Sequence, residues 1–164
     1  MKAKTVRTPK VAAPASGNPS DQCDVQDFAG PAEWEAWLKR HHGEPGGVWL
    51  KIAKKGSGKP SIAISDALDV ALCYGWIDSH RRGLDAFHFL QRYSLRRSKS
   101  PWSRINVDRA EALIAAKRMR APGLEEIRAA KADGRWDAAY APQKTAGIPP
   151  DFAAALTRNT DAET

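Results

Sequence analysis

The sequence predicts one α+β domain, a small antiparallel sheet of about three strands covered by about five helices. Several segments carry apolar residues at the spacing of amphipathic helices, and shorter segments between glycine- and proline-rich turns have the character of strands. The length of 164 residues, the hydrophobic content of 42% and the six tryptophans suffice for one core. We therefore expect a single domain over residues 27–157 and a frayed end over residues 158–164.

The first part of the chain has the composition of a disordered tail. Residues 1–26 are rich in small residues, proline and lysine, and they show no apolar period. Residues 1–20 contain four basic side chains and no acidic one. Three interpretations of such a basic tail are open: it improves solubility, it is a remnant of cloning, or it binds a partner.

The first helix is predicted to begin at Pro31, because proline is favoured in the first helical turn. Glu33 and Glu35 follow near the positive end of the helix dipole. One apolar face is formed, at the spacing i, i+3, i+4 and i+7, by Trp34, Trp37, Leu38 and His41. Gly43 is expected to end this helix.

A strand is predicted over residues 48–54, followed by a flexible loop over residues 55–60. Pro60 follows Lys59, where a nucleotide-binding P-loop needs serine or threonine, so a nucleotide-hydrolysing site is rejected. The loop is either a plain turn or an anion contact through its amides and lysines. Ser65 is expected to cap the next helix.

The other elements follow from the same signals. Two further strands are predicted over residues 80–84 and 87–93, and they complete the antiparallel sheet. We then expect a helix capped by Asn106, with Ser103 as the other candidate cap, another helix that begins near Pro122, and a last short helix over residues 149–156.

The excess of positive charge is concentrated in one internal segment. Residues 80–104 contain seven lysines and arginines and one acid, Asp85, although the whole chain has a net charge of only +7. Aromatic residues are interleaved with these bases: Phe87, Phe89, Tyr93 and Trp102. Three interpretations are open: a solvated face, a site for a small anion bound by guanidinium groups, and a single-strand nucleic-acid surface with stacking rings.

No pattern points to a metal or a cofactor. Cys23 and Cys73 have neither metal-ligand nor disulfide-framework spacing, and the four histidines contain no helical ligand pair. Cys73 is expected to be buried, with no histidine placed to activate it. Asp78 is expected to form a buried ion pair with an arginine, the other reading being a general base. An enzyme centred on Asp78 or Cys73 remains an alternative.

Several blocks of the chain, in order, resemble the YdeI/OmpD-associated (bacteriocin-protection) family. They are ALCYGWIDS at residues 71–79, LQRY at 90–93, RRSKSPWS at 96–103, AAKADGRWDAAY at 129–140 and PPDF at 149–152. The likeness covers roughly residues 28–157. It implies the fold and a link to bacteriocin protection or envelope stress, but no defined chemistry.

The chain departs from that family in two places. Leu95 stands where family members commonly have proline. The family's further C-terminal helical segment, with an Asn-Arg-Tyr-like motif, is not in this sequence, so either the protein lacks it or the sequence is truncated.

Together these features predict a non-enzymatic binding protein for a small anion. Without an apolar segment long enough to cross a bilayer and without a secretory signal, we expect a cytoplasmic protein with no membrane insertion. The predicted ligand-binding residues are Lys54, Lys55, Trp76, Asp78, Arg92, Arg96, Arg97, Lys99, Ser100, Trp102 and Asn106. A nucleic-acid-binding protein that uses residues 81–104 is the first alternative.

Overall fold

The computed structural model describes residues 24–142 of the chain. In this part of the chain the elements follow one another as β1 (Val25–Gln26), α1 (Pro31–His41), β2 (Val48–Ala53), α2 (Ile64–Cys73), β3 (Trp76–Gly83), β4 (His88–Leu95), α3 (Arg104–Ala115) and α4 (Ala121–Ala132). The strands form one small sheet, so the predicted α+β class is confirmed. Residues 1–23 of the tail predicted over 1–26, and the predicted helix over 149–156, lie outside the described residues. The last residues of that predicted tail, Val25 and Gln26, form β1 instead.

The sheet has four strands in the order β1-β2-β4-β3, not the three that the sequence predicts. β1 escapes sequence analysis because its two residues are too few to show an alternating pattern. β1 runs parallel to β2, so the sheet is mixed rather than wholly antiparallel. β4 pairs antiparallel with both β2 and β3, which leaves β3 at the edge within the described part of the sheet.

The β3–β4 hairpin is longer than predicted, because β3 begins directly after α2. Gly75 makes this turn with a φ of +75°, a conformation that glycine adopts without strain. The pairing register of the hairpin shifts between Asp78 and Arg81, as in a β-bulge. At its open end Trp76 pairs with Leu95, so the chain leaves the sheet at residue 96 beside the end of α2.

The core lies between one face of the sheet and the helices. Val48, Leu50 and Ile52 alternate along β2 and are buried on this face. Trp34 of α1 is fully buried and stacks on Trp37, and its indole nitrogen donates to the Ala67 carbonyl of α2 at 3.0 Å. Helix α1 is therefore held by the apolar face that its sequence predicts.

Two helix starts differ from the predicted ones. α2 begins at Ile64 with Ala63 at the N-cap position, two residues before the predicted cap Ser65. α3 begins at Arg104, and its N-cap is Ser103, whose Oγ accepts from the amide of Asn106 at 3.2 Å. Asn106 therefore lies inside the first turn. Serine and asparagine are comparable caps, so local propensity alone does not decide between them.

Helices α2 and α4 approach each other very closely at Gly123. A Cβ atom at this position would lie 2.4 Å from the carbonyl oxygen of Cys73 and 2.6 Å from that of Leu72. Only glycine allows this contact, because both neighbouring atoms belong to the backbone. The contact fixes the end of α2 and therefore the point at which β3 begins.

Candidate functional site

An open pocket of about 400 Å³ lies where the β3–β4 hairpin, the segment after β4 and the first turn of α3 meet. We call it the Arg96 pocket. Its lining residues are Ile77, Asp78, Ser79, His80, Arg92, Ser94, Leu95, Arg96, Arg97, Ser100, Pro101, Asn106 and Tyr140. Among the described residues, the charged arginines and carboxylates of this lining are three arginines and one aspartate.

Arg96 is the most unusual residue of the pocket, because it is a buried cation. Its exposed fraction is 5%, and its guanidinium group lies over the Trp102 ring, 3.8 Å from the ring centroid. Nη1 donates to the Pro101 carbonyl oxygen at 3.0 Å. Buried charges in proteins are normally paired with an opposite charge. Among residues 24–142, however, no carboxylate lies within salt-bridge distance of Arg96.

The electrostatic environment of Arg96 reflects this burial. Desolvation lowers the pKa of the Arg96 guanidinium to about 10. Glu126 of α4 and Asp78 favour the charged form from a distance, and Arg135 opposes it. Burial also raises the pKa of the Glu126 carboxyl, despite the influence of Arg96 and Arg135. At neutral pH the pocket therefore contains a charged guanidinium that has lost much of its hydration.

The segment that carries Arg96 is braced from several directions. Arg135 Nη1 donates to the Ser100 carbonyl oxygen at 2.9 Å, while its Nε contacts the Asp133 carboxylate at 2.7 Å. The amide of Tyr140 donates to the Trp102 carbonyl at 3.1 Å. The Trp102 ring also packs against Trp136, with centroids 4.9 Å apart. These contacts hold the pocket wall in place without a ligand.

Six of the eleven predicted site residues lie in the Arg96 pocket. They are Asp78, Arg92, Arg96, Arg97, Ser100 and Asn106. Arg92 reaches the turn before β2, where its Nη2 donates to the Gly46 carbonyl at 3.1 Å. Arg97 is exposed, and within the described part of the chain its guanidinium forms no salt bridge.

The other five predicted residues do not line the pocket. Lys54 and Lys55 follow β2 at its opposite end, where Lys54 Nζ donates to the Asp85 carbonyl oxygen at 2.8 Å. Lys99 is exposed in a turn with a φ of +64°. The two tryptophans in the prediction, Trp76 and Trp102, are buried.

The buried tryptophans have structural contacts instead. Trp76 belongs to the core, and its indole nitrogen donates to the His42 carbonyl at 2.8 Å. Trp102 lies beneath Arg96, and its own indole nitrogen is buried without a hydrogen-bond partner in the described part of the molecule. Trp102 therefore supports the site indirectly, through the ring on which Arg96 lies.

The predicted ion pair between Asp78 and an arginine is wrong. Asp78 is half-buried, and within residues 24–142 it forms no salt bridge. The two nearest arginines along the strand have other contacts. Arg81 donates to Gln91 Oε1 at 2.9 Å, and Arg82 lies over the Trp49 ring at 4.5 Å. The bulge between Asp78 and Arg81 and the strand alternation separate these side chains.

Several lining residues were not predicted. Ser79, His80 and Ser94 are on the hairpin next to predicted residues, and the alternation of β3 and β4 gave a weak signal for them. Tyr140 reaches the pocket from far along the chain through an isolated bridge with Ser103. No local sequence pattern could indicate that contact.

The first turn of α3 contributes less to anion binding than its position suggests. Asn106 lines the pocket, but the amides of Arg104 and Asn106 already donate to the Tyr140 carbonyl and to Ser103 Oγ. Amides that are bonded in this way do not add to an anion site. The pocket therefore depends on side chains rather than on the helix dipole.

Cys73 does not have the surroundings of a nucleophile. Its thiol is buried next to a hollow of about 20 Å³, and desolvation raises its pKa to about 11. At neutral pH the thiol is therefore protonated and unreactive. Residues 24–142 contain no cluster of potential metal ligands, and no helix in this range is long and apolar enough to cross a membrane.

The fold and the pocket define a small α+β domain with a basic, arginine-lined site. The chain belongs to the DUF8412 family, a domain of unknown function, whose sequence pattern matches residues 26–126. This match covers every lining residue of the Arg96 pocket except Tyr140. No curated protein and no solved structure matches the chain.

Proposed function

We propose that this protein binds a small phosphate- or carboxylate-bearing molecule in the Arg96 pocket and has no catalytic role. The observation that carries the proposal is the buried Arg96 guanidinium, which lacks a carboxylate partner among residues 24–142. The Arg96 guanidinium has five N–H donors, and its side-chain hydrogen bond to the Pro101 carbonyl uses one of them. An oxyanion would supply both the missing charge and the missing acceptors in a two-point contact.

The surroundings of Arg96 support a ligand rather than a purely structural role. A volume of about 400 Å³ falls in the range of small-molecule sites, about 300–1,000 Å³. Arg97 lies at the same pocket, is exposed, and can add a second cationic contact. The Arg135 and Trp136 contacts hold the wall before a ligand arrives, which lowers the ordering cost of binding.

Nucleic-acid binding is the alternative, and the exposure of the aromatic residues argues against it. A single-strand binder needs accessible rings on which bases stack. Tyr93 and Trp102 have exposed fractions of 0% and 3%, and Phe89 is covered by Arg81 at 4.6 Å. Phe87, at 47%, is the one ring of the four that is largely exposed. Oligonucleotide binding that falls steeply with rising salt would restore this alternative.

The biological setting is proposed from the family likeness alone. The resemblance to the YdeI/OmpD-associated family motivates a cytoplasmic role in bacteriocin protection or envelope stress. A strain that lacks the gene should then be more sensitive to a bacteriocin or to envelope damage. Unchanged sensitivity would contradict this setting.

A ligand panel tests the binding function. Inorganic phosphate, pyrophosphate and citrate, each added to the full chain, should raise the midpoint of thermal unfolding, because a ligand that binds only the folded state stabilises it. Arg97→Gln should lower the affinity about tenfold, the typical effect of losing one charge-assisted contact.

Lys99→Gln is the matched control, because it removes the same charge from the same loop at a residue outside the pocket lining. The affinity of Lys99→Gln should stay within about twofold of that of the original chain, since salt screens the interactions of exposed charges. If no anion of the panel raises the unfolding midpoint, or if the two variants lose affinity equally, the proposal is contradicted.

A further inference from the structure

We infer that the Arg96 pocket takes a phosphate monoester whose organic part carries hydroxyl groups, such as a polyol phosphate or a nucleoside monophosphate. The inference rests on the proposed anion binding and adds the class of ligand. Asp78, rather than the arginines, carries it: a carboxylate in the wall of a basic pocket, without a salt bridge in the described part of the chain.

A carboxylate repels a ligand that is only an anion. Asp78 nevertheless lies in the same lining as Arg96 and Arg97, and it is half-buried. An ionised carboxylate has acceptor sites only, so a ligand that displaces water from Asp78 binds best when it offers donors in its place. Hydroxyl groups supply such donors without adding charge. Asp78 would therefore select ligands in which an anionic end is joined to a hydroxyl-bearing body.

The charge and the neutral groups of the lining agree with this ligand. Among the described residues the lining contains three arginines and one aspartate, a basic set that suits a phosphate monoester, which carries about −1.5 to −2 charges at neutral pH. Ser79, Ser100 and Asn106 offer both donors and acceptors on the same lining. A volume of about 400 Å³ is also far larger than a bare phosphate ion needs.

The test compares two ligands that differ in hydroxyl groups alone. Glycerol phosphate and propyl phosphate have the same carbon count and the same phosphate, and calorimetry on the full chain gives both affinities. Glycerol phosphate should bind about tenfold tighter or more, the typical value of a hydrogen bond to a charged group. Adenosine monophosphate, measured in parallel, separates a nucleotide ligand from a polyol phosphate.

Asp78→Asn should remove this preference. The affinity for glycerol phosphate should fall and that for propyl phosphate should rise, because the variant loses both the strong acceptor and the repulsion. Asp108→Asn is the matched control: Asp108 is exposed on α3, pairs with Arg104 and lies outside the lining. Asp78→Ala, with the unfolding midpoint recorded for each variant, guards against an effect of misfolding.

The outcomes separate the two proposals. A preference for the hydroxyl-bearing phosphates that is lost in both Asp78 variants and kept in Asp108→Asn supports the inference. Equal affinities for the two phosphates, or tighter binding of citrate or glutamate, overturn the ligand class but leave anion binding in place. The absence of binding by every anion overturns both.

Discussion

Replacing Arg96 with methionine should make the ligand-free chain slightly more stable and abolish its response to phosphate. Methionine fills a similar volume without a charge. The substitution therefore removes a buried cation that has no carboxylate of residues 24–142 within salt-bridge distance. Exchange of a buried charged group for an apolar one of similar size is often neutral or stabilising.

The size of the effect follows from three contributions. Burial lowers the pKa of Arg96 from the usual arginine range to about 10, and at about 1.4 kcal/mol per pKa unit this corresponds to a cost of about 3 kcal/mol for the charged form. The guanidinium is charged at neutral pH in both the folded and the unfolded chain, so the cost is present there and decreases only above about pH 10.

The two favourable contacts of Arg96 offset most of this cost. The hydrogen bond to Pro101 contributes about 1 kcal/mol, and the contact with the Trp102 ring contributes about 1 kcal/mol. The expected net gain in the free energy of unfolding is therefore about 1 kcal/mol for Arg96→Met. This value is of the same order as a shift of a few degrees in the unfolding midpoint.

Urea unfolding followed by tryptophan fluorescence measures the change, with and without phosphate. The original chain should gain about 2.7 kcal/mol at a phosphate concentration one hundred times its Kd, whereas Arg96→Met should gain nothing. Arg128→Met is the control: Arg128 is 73% exposed, and its replacement should change stability by less than about 0.5 kcal/mol.

One result would refute the reasoning. Suppose that Arg96→Met lowers the free energy of unfolding by more than about 1 kcal/mol, well beyond the small change expected for a substitution at an exposed site. The main role of the guanidinium would then be to hold residues 96–103 together. The guanidinium would then not serve ligand binding. If phosphate stabilises Arg96→Met as much as the original chain, the anion binds at a place other than Arg96.

Four further predictions follow from other contacts of the fold. Gly123→Ala should lower the free energy of unfolding by about 1–3 kcal/mol, because its Cβ would meet two backbone oxygens, while Gly43→Ala, in open space, should be nearly neutral in the same urea experiment. In a Cys23→Ser background, Cys73 should react slowly with a thiol reagent at neutral pH and quickly in denaturant, because burial raises its pKa; fast labelling of the folded chain would contradict this. That raised pKa also predicts that the stabilising contribution of the protonated Cys73 thiol is complete below about pH 9 and is lost towards about pH 11. Arg135→Gln should weaken phosphate binding about tenfold although Arg135 is outside the lining, because its hydrogen bond to the Ser100 carbonyl is lost. An unchanged affinity in calorimetry would show that this hydrogen bond does not contribute to binding.

The sequence determined those features that depend on neighbours along the chain. The spacing of Trp34 and Leu38 predicted the buried face of α1, because helical periodicity follows from backbone geometry alone. The concentration of arginines in residues 80–104 was also visible, and it contained the three arginines of the pocket. The choice between Ser103 and Asn106 as the cap of α3 was not determined, since both residues suit that position.

Only the tertiary structure decided which of these charges converge. Arg81 and Arg82 are adjacent in sequence but contact rings on different strands, because successive side chains of a strand point to opposite faces. The burial of Arg96 depends on Trp102, which is held in turn by Trp136 from far along the chain. A buried cation without a salt bridge in the described part of the chain is the product of such long-range packing, and no local pattern encodes it.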